Sequence, residues 1–296
     1  YWYSYILSCS LLKEINSSVA FIKALIEKNP YSHLAWHYLG LTFLKSENFL
    51  NAIEAFDYAI LIDEKSTKSY IYKAESLAAL SFYDRAIETC KLTFEFEEPH
   101  AALYYDIGEF YEKSDNLDKA LAYFHKALKK DAEMSDAWFS IALILDFQGK
   151  QVEASYHIKK AVEKNNTNID YLFSYAEIHE KLGFIKEAEI AYRKVTEIDN
   201  YDSESWLNYS NLLYQQKYQQ EAVDVLYDAL KANPNNAELS YRLSAYLIDS
   251  GDETKGLKFF ENALKIDFDQ HEDVFQYMPS VKNNKNLLHL LHNFKN

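Results

Sequence analysis

Between His33 and Ser66 the apolar residues fall on two helical faces separated by a polar break. Trp36, Leu39, Gly40 and Phe43 recur at helical spacing; after Ser46–Asn48, so do Ala52, Phe56 and Ala59. The pattern predicts two helices joined by a tight turn. Large residues alternate with small ones, as two closely crossing helices require. Thirty-four residues later the same positions return, and they keep returning to the end of the chain.

With position 1 set at His33, Thr67, Ala101, Ser135, Ile169, Ser203, Ala237 and His271, position 4 collects Trp2, Trp36, Tyr70, Tyr104, Trp138, Leu172, Trp206 and Ser240. All four tryptophans of the protein share it. Position 8 is small from the second copy onward: Gly40, Ala74, Gly108, Ala142, Ala176, Ser210, Ser244. Position 20 is small throughout, from Ser18 through Ala52, Ala86, Ala120, Ala154, Ala188 and Ala222 to Gly256. Position 24 is mostly bulky, with Phe56, Phe124, Ile158, Tyr192, Leu226 and Phe260. Small residues at 8 and 20 let the two helices of a unit touch, and large ones fill the gap to the next unit. No unit buries its apolar face alone, so units must stack.

This pattern resembles the tetratricopeptide repeat family, and the resemblance runs over residues 1 to about 270 without an insertion. It implies an all-α fold, a right-handed superhelical solenoid of stacked helix–turn–helix units. Residues 1–270 form the array, about eight repeats with the first incomplete, and 271–296 a helical cap. Lys73, His179 and Ser240 depart from the template at positions 7, 11 and 4. Gly149, Gly183 and Gly251 share position 15, where a helix C-terminus calls for left-handed backbone. Asn48 and Asn116 follow at position 16, suited to capping the second helix. In the final stretch Pro279 stops a short helix, Asn283 or Asn284 caps another, and Leu287, Leu288, Leu290, Leu291 and Phe294 make one apolar stripe over the last repeat.

Charge narrows the partners. The chain has 45 acids against 31 bases, a net charge of −14, which argues against a nucleic-acid backbone as the target. No apolar run is long enough to cross a bilayer. No leader peptide is visible and the chain opens on Tyr, so a signal removed upstream would leave no trace; the compartment is open, with the cytoplasm favoured. Cys9 and Cys90 lie two copies apart and are expected buried and reduced. Trp2 and Tyr5 have nothing ahead of them to cover their apolar edge, so that edge is open to further repeats or to self-association.

Catalytic and metal signatures are absent. There is no glycine-rich phosphate loop, nucleophile elbow or paired-cysteine motif. His33 with His37, His289 with His292, and the cluster Glu177, His179 and Glu180 read as structural rather than metal-binding. The expectation is a non-enzyme without cofactor or metal.

In the resembled family, ligands lie along the inner wall at positions 2, 5, 6, 9, 12 and 13. Acids well outnumber bases there, concentrated at Glu75, Asp106, Glu109, Glu112, Asp146, Glu177 and Glu180. Asp106, Glu109 and Glu112 step by three along one helix, and such stacked like charges are relieved by a cationic ligand. Tyr38, Tyr72, Tyr105, Phe139, Phe173, Tyr214 and Tyr241 interleave with them, and Asn208 and Asn211 suit a peptide main chain. The family's carboxylate-gripping modules need bases at positions 2 and 6; only Arg242 supplies one at 6, and the acids would repel such a ligand. The reading is a non-catalytic scaffold that binds a basic, extended or helical protein segment. The alternatives are the recognition arm of a larger enzyme or secretion assembly, and a self-associating structural module.

Overall fold

The computed structural model describes residues 12–295, and the chain divides into two compact units, Tyr1–Ile144 and Leu145–Asn296. Secondary structure in the described residues is helical. The first unit contains α1 (Leu12–Lys28), α2 (His33–Lys45), α3 (Phe49–Ile62), α4 (Thr67–Ala79), α5 (Tyr83–Leu92), α6 (Ala101–Lys113) and α7 (Leu117–Lys130). The division falls within α8 (Ser135–Phe147). The second unit continues with α9 (Gln151–Lys164), α10 (Ile169–Lys181), α11 (Ile185–Ile198), α12 (Ser203–Gln215), α13 (Gln219–Ala232), α14 (Ala237–Asp249) and α15 (Glu253–Ile266). It ends with α16 (Asp273–Tyr277) and α17 (Lys285–Lys295). The expectations for Trp2, Tyr5 and Cys9 lie outside the described residues.

Within each unit the helices of a repeat pack as neighbours, as α2 does with α3, α6 with α7, α12 with α13 and α14 with α15, and the register predicted from the sequence is the register of the core. Every residue at positions 8, 20 and 24 from the second copy to the eighth is buried, among them Ala74, Ala142, Ala86, Ala154, Phe56, Ile158 and Leu226. The tryptophans repeat their surroundings too. The indole Nε1 of Trp36 donates to Pro30 O at 2.9 Å, that of Trp138 to Ala132 O at 2.9 Å and that of Trp206 to Asn200 O at 3.0 Å. In each case the acceptor lies six residues back, so one aromatic slot ties the first helix of a copy to the chain entering it. The thiol of Cys90 is buried in the core and pushed up to about 12, first by burial and then by Asp106.

Helix starts follow the same beat. Ser32, His100, Asn168 and Asn236 occupy equivalent places, and each side chain accepts from a backbone N–H three residues on, at 3.3, 3.2, 3.0 and 2.9 Å. Helix ends show more than the sequence revealed. Gly149, Gly183 and Gly251 have positive φ as expected, but Glu47, Ser81, Asp115 and Lys217 at the same position do as well. The following N–H closes back on a carbonyl five residues earlier, as Lys150 does on Leu145 at 2.8 Å and Tyr218 on Leu213 at 3.0 Å. This bond holds the left-handed turn even where the residue has a Cβ. A Cβ at Gly183 would meet nothing within 4 Å, so only backbone strain opposes it. Gly183→Ala should therefore destabilise the protein by about 1 kcal/mol, and Lys217→Gly should stabilise it by up to about 1 kcal/mol. Urea unfolding of the two variants checks this; equal midpoints would mean the turn carries no strain.

The closing segment packs on the last repeat. Asn284 Oδ1 accepts from Leu287 N at 3.0 Å and so caps α17, and Asn284 Nδ2 donates to Glu253 Oε1 at 2.7 Å. Leu287 is fully buried, and Leu290 and Leu291 lean on the same core. Leu288, read as part of the stripe, instead faces solvent, since it sits one residue off the buried row.

Candidate functional site

In the first unit, α4 and α6 present Glu75, Asp106 and Glu109 to one cleft of about 560 Å³. Ile71, Ala78, Ala79 and Phe110 give it apolar walls, with Tyr83, Cys90 and Lys113 completing the lining. The repeat explains why these meet. Equivalent positions on successive first helices lie side by side, so residues roughly one repeat apart in sequence converge. Asp106 is half-buried, and its carboxyl is raised from 3.8 to about 6, first by burial and then by Glu109 and Glu75. Glu112, one turn beyond Glu109, is also raised, by burial and then by Glu109. Among the described residues none of Glu75, Asp106, Glu109 and Glu112 has an ion-pair partner. Lys113 alone in the lining is basic, and it partly opposes the raising of Glu112, so the cleft keeps an excess of negative charge.

The aromatics of this unit hold the wall more than they face the cleft. The Tyr72 ring stacks on Phe56 at 6.1 Å, and His37 lies 5.6 Å from Tyr38 and 5.7 Å from Tyr72. His37 is buried and accepts or donates a 2.8 Å hydrogen bond with Ser69 Oγ; burial lowers it to about 4, so it stays neutral. Tyr105 packs on Phe124 at 5.3 Å, reaches Ser140 Oγ at 3.4 Å, and has its hydroxyl pushed up to about 12, chiefly by burial. Phe139 is half-buried. Lys73, the base at an apolar position, is held by Asp57 at 2.5 Å.

The second unit distributes its acids differently. Asp146 Oδ2 accepts from Lys181 Nζ at 2.6 Å, so one carboxylate already has its cation. Glu177 is raised by burial, with Lys181 opposing and Glu204, Asp146 and Glu180 adding. Glu180 is raised by burial and accepts from Tyr192 Oη at 3.3 Å. His179 is buried against Tyr175, ring centroids 3.8 Å apart, and bonded to Tyr175 O at 2.7 Å, which makes it a core residue. Asn208 and Asn211 are half-buried, one turn apart. Tyr214 stacks on Tyr246 at 4.0 Å and donates to Asp249.

One expected contact residue leaves the site. Tyr241 is fully buried, its ring 5.5 Å from Phe260 and its hydroxyl donating to Asp267 O at 2.8 Å. The cause is general: position 5 faces position 24 of the same copy. Tyr105 meets Phe124 this way, and Phe173 meets Tyr192 at 5.8 Å. An aromatic at that position supports its own helix pair. Among the described residues no group of three or more His, Cys, Asp or Glu side chains is arranged to hold a metal ion, and no helix is long and apolar enough to cross a membrane.

Comparison with known proteins agrees with this architecture. Family models described as tetratricopeptide repeat match residues 105–169, 169–202 and 203–236. A TPR repeat-containing protein of Methanocaldococcus jannaschii is 26% identical over 124 residues, 42% of this chain and 22% of that protein. The chain thus matches about a fifth of the length of that relative. The C-terminal part of a TPR repeat-containing protein from Cytophaga hutchinsonii superposes with a TM-score of 0.69 at 17% identity, over 86% of this chain and 99% of the other. YrrB, a TPR protein with an unusual peptide-binding site, gives 0.51 at 16% identity, over 66% of this chain and 97% of its own. These last two likenesses are of fold.

Proposed function

We infer that this chain, which belongs to the tetratricopeptide repeat family, is a protein-interaction scaffold whose first-unit cleft holds a basic segment of a partner. Proteins of the family generally serve as non-catalytic scaffolds. The observation that carries the finer reading is the excess of acid: Glu75, Asp106 and Glu109 share one cleft with a single base, Lys113, none of the three is ion-paired, and Asp106 is held near 6 by its surroundings. A Lys or Arg side chain entering there would lay its methylene stem along Ile71, Ala78 and Phe110 and its charge among the carboxylates. The repulsion that burdens the empty cleft becomes attraction in the complex. The same reading takes residues 1–270 as the repeat array and 271–296 as its closing cap.

The test is a titration with a synthetic peptide of roughly a dozen residues, alternating lysine with leucine, beside a twin carrying glutamate for lysine. The lysine peptide should bind with micromolar affinity that weakens about tenfold between roughly 50 and 300 mM salt, and the glutamate twin should not bind. Equal binding of the twins, or an affinity indifferent to salt, would overturn the acidic cleft as the selective element.

A further inference from the structure

A second charged group lies in the first unit, and none of its residues lines the acidic cleft. Lys91 stands at the end of α5, Tyr104 and Tyr111 on α6, and Lys119, Tyr123 and Lys126 on α7. Lys91 Nζ donates to Tyr111 Oη at 2.8 Å and lies 5.2 Å from the ring centre of Tyr111 and 5.6 Å from that of Tyr123. Lys119 Nζ lies 5.3 Å from the Tyr111 ring, and Lys126 Nζ lies 4.0 Å from Tyr123 and 5.8 Å from Tyr104. Lys91 therefore shares one ring with each of the other two lysines. The rings of Tyr111 and Tyr123 are 5.4 Å apart, and those of Tyr104 and Tyr123 are 6.1 Å apart.

Among the described residues none of the three lysines has a carboxylate partner. Cation–π attraction accounts for where each ammonium rests. Shared ring faces neutralise no charge.

We propose that Lys91, Lys119 and Lys126, with the tyrosine hydroxyls around them, form a receptor for a phosphate-type dianion carried on a phosphorylated segment of a partner protein. The chemistry follows from what is already filled and what is not. The ring faces are taken by the protein's own ammonium groups, so the group has nothing to offer a cation. A single carboxylate would neutralise one of three charges. A phosphoryl group brings nearly two negative charges and three acceptor oxygens for these donors, while the tyrosines supply further ones. Lysine suits such a site, being a point charge on a flexible stem with rotatable donors. Lys119 and Lys126 are exposed, so the anion can reach them.

The experiment follows the lysine side-chain NMR signals of the intact protein during titration with inorganic phosphate, and with chloride at the same ionic strength. Phosphate should shift a subset of signals saturably and chloride should not. Lys119→Gln with Lys126→Gln should weaken the saturable response at least tenfold with helicity unchanged, and the corresponding Lys→Arg pair should retain it. A phosphoserine peptide should bind more tightly than either free phosphate or its unphosphorylated twin. Parallel behaviour of the wild type and the Gln pair, or an equal response to chloride, would mean the lysines merely cover tyrosine rings and would overturn the site. A phosphopeptide no tighter than free phosphate would overturn the protein-borne source.

Discussion

Asp106→Lys combined with Glu109→Lys is expected to weaken capture of a basic peptide by roughly a hundredfold or more, with the far-ultraviolet circular dichroism of the parent retained. Both residues line the cleft and both are half-buried rather than core, so lysine's long stem can carry its charge to the mouth. The substitution turns attraction into repulsion at the point where the incoming charge must sit. Loss of helicity would assign these acids to the fold. Unchanged capture with intact helicity would move the binding surface elsewhere.

The milder change Asp106→Asn separates the cost of the free cleft from its use. The folded state raises Asp106 from 3.8 to about 6, so between those values the folded protein binds a proton that the unfolded chain has lost. Stability contributed by this group is therefore full at low pH and declines as pH rises through about 6. Asparagine carries no such penalty. The variant should gain about 1–3 kcal/mol at pH 7 and nothing near pH 4. Urea midpoints at the two pH values decide it. A residue whose neutralisation stabilises the free protein while impairing binding is one whose ionised form serves a ligand. By the same sign, affinity for the basic segment should fall as pH drops below about 6, because the proton must leave before the carboxylate can pair.

The fold was readable because the repeat makes each position speak several times. One small residue at position 8 or 20 says little, but a column of them from Ala52 to Gly256 has one physical solution, and those residues are buried. The turn was only partly readable. Gly149 announces left-handed backbone through its identity, whereas Lys217 adopts the same φ because the helix end before it closes in the same way. The acidic cleft was legible since Asp106, Glu109 and Glu75 occupy equivalent or adjacent places on successive helices. The aromatic residues were not, because position 5 lies between the inner wall and the partner helix, and the family's ligand positions do not say which side a ring takes. Tyr241 shows the outcome where Phe260 waits opposite. The lysine–tyrosine group was invisible for another reason. It joins Lys91 of one copy to Tyr111 and Lys119 of the next, on helices whose approach no single period displays.

Gly108→Ala is expected to destabilise the protein by about 1–3 kcal/mol, although alanine in a helix interior is ordinarily worth about 1 kcal/mol over glycine. A Cβ at Gly108 would lie 2.6 Å from both Cδ1 and Cε1 of Phe124, far inside contact distance. The ring has nowhere to go. Phe124 is fully buried, with Tyr105 packed on it at 5.3 Å. Gly40 faces Phe56 in the same way, its Cβ 2.6 Å from Cε1 of that ring, so the overlap belongs to the repeat geometry and not to one copy. Phe124→Leu alone should also destabilise, by removing buried ring contacts, but Gly108→Ala added to it should cost much less than in the parent, since the branched chain leaves room for the methyl. Urea unfolding of the four proteins yields that coupling. Additive losses, or a Gly108→Ala variant as stable as the parent, would mean that the helices of this pair are not held at backbone contact and that the small residues at position 8 have another cause.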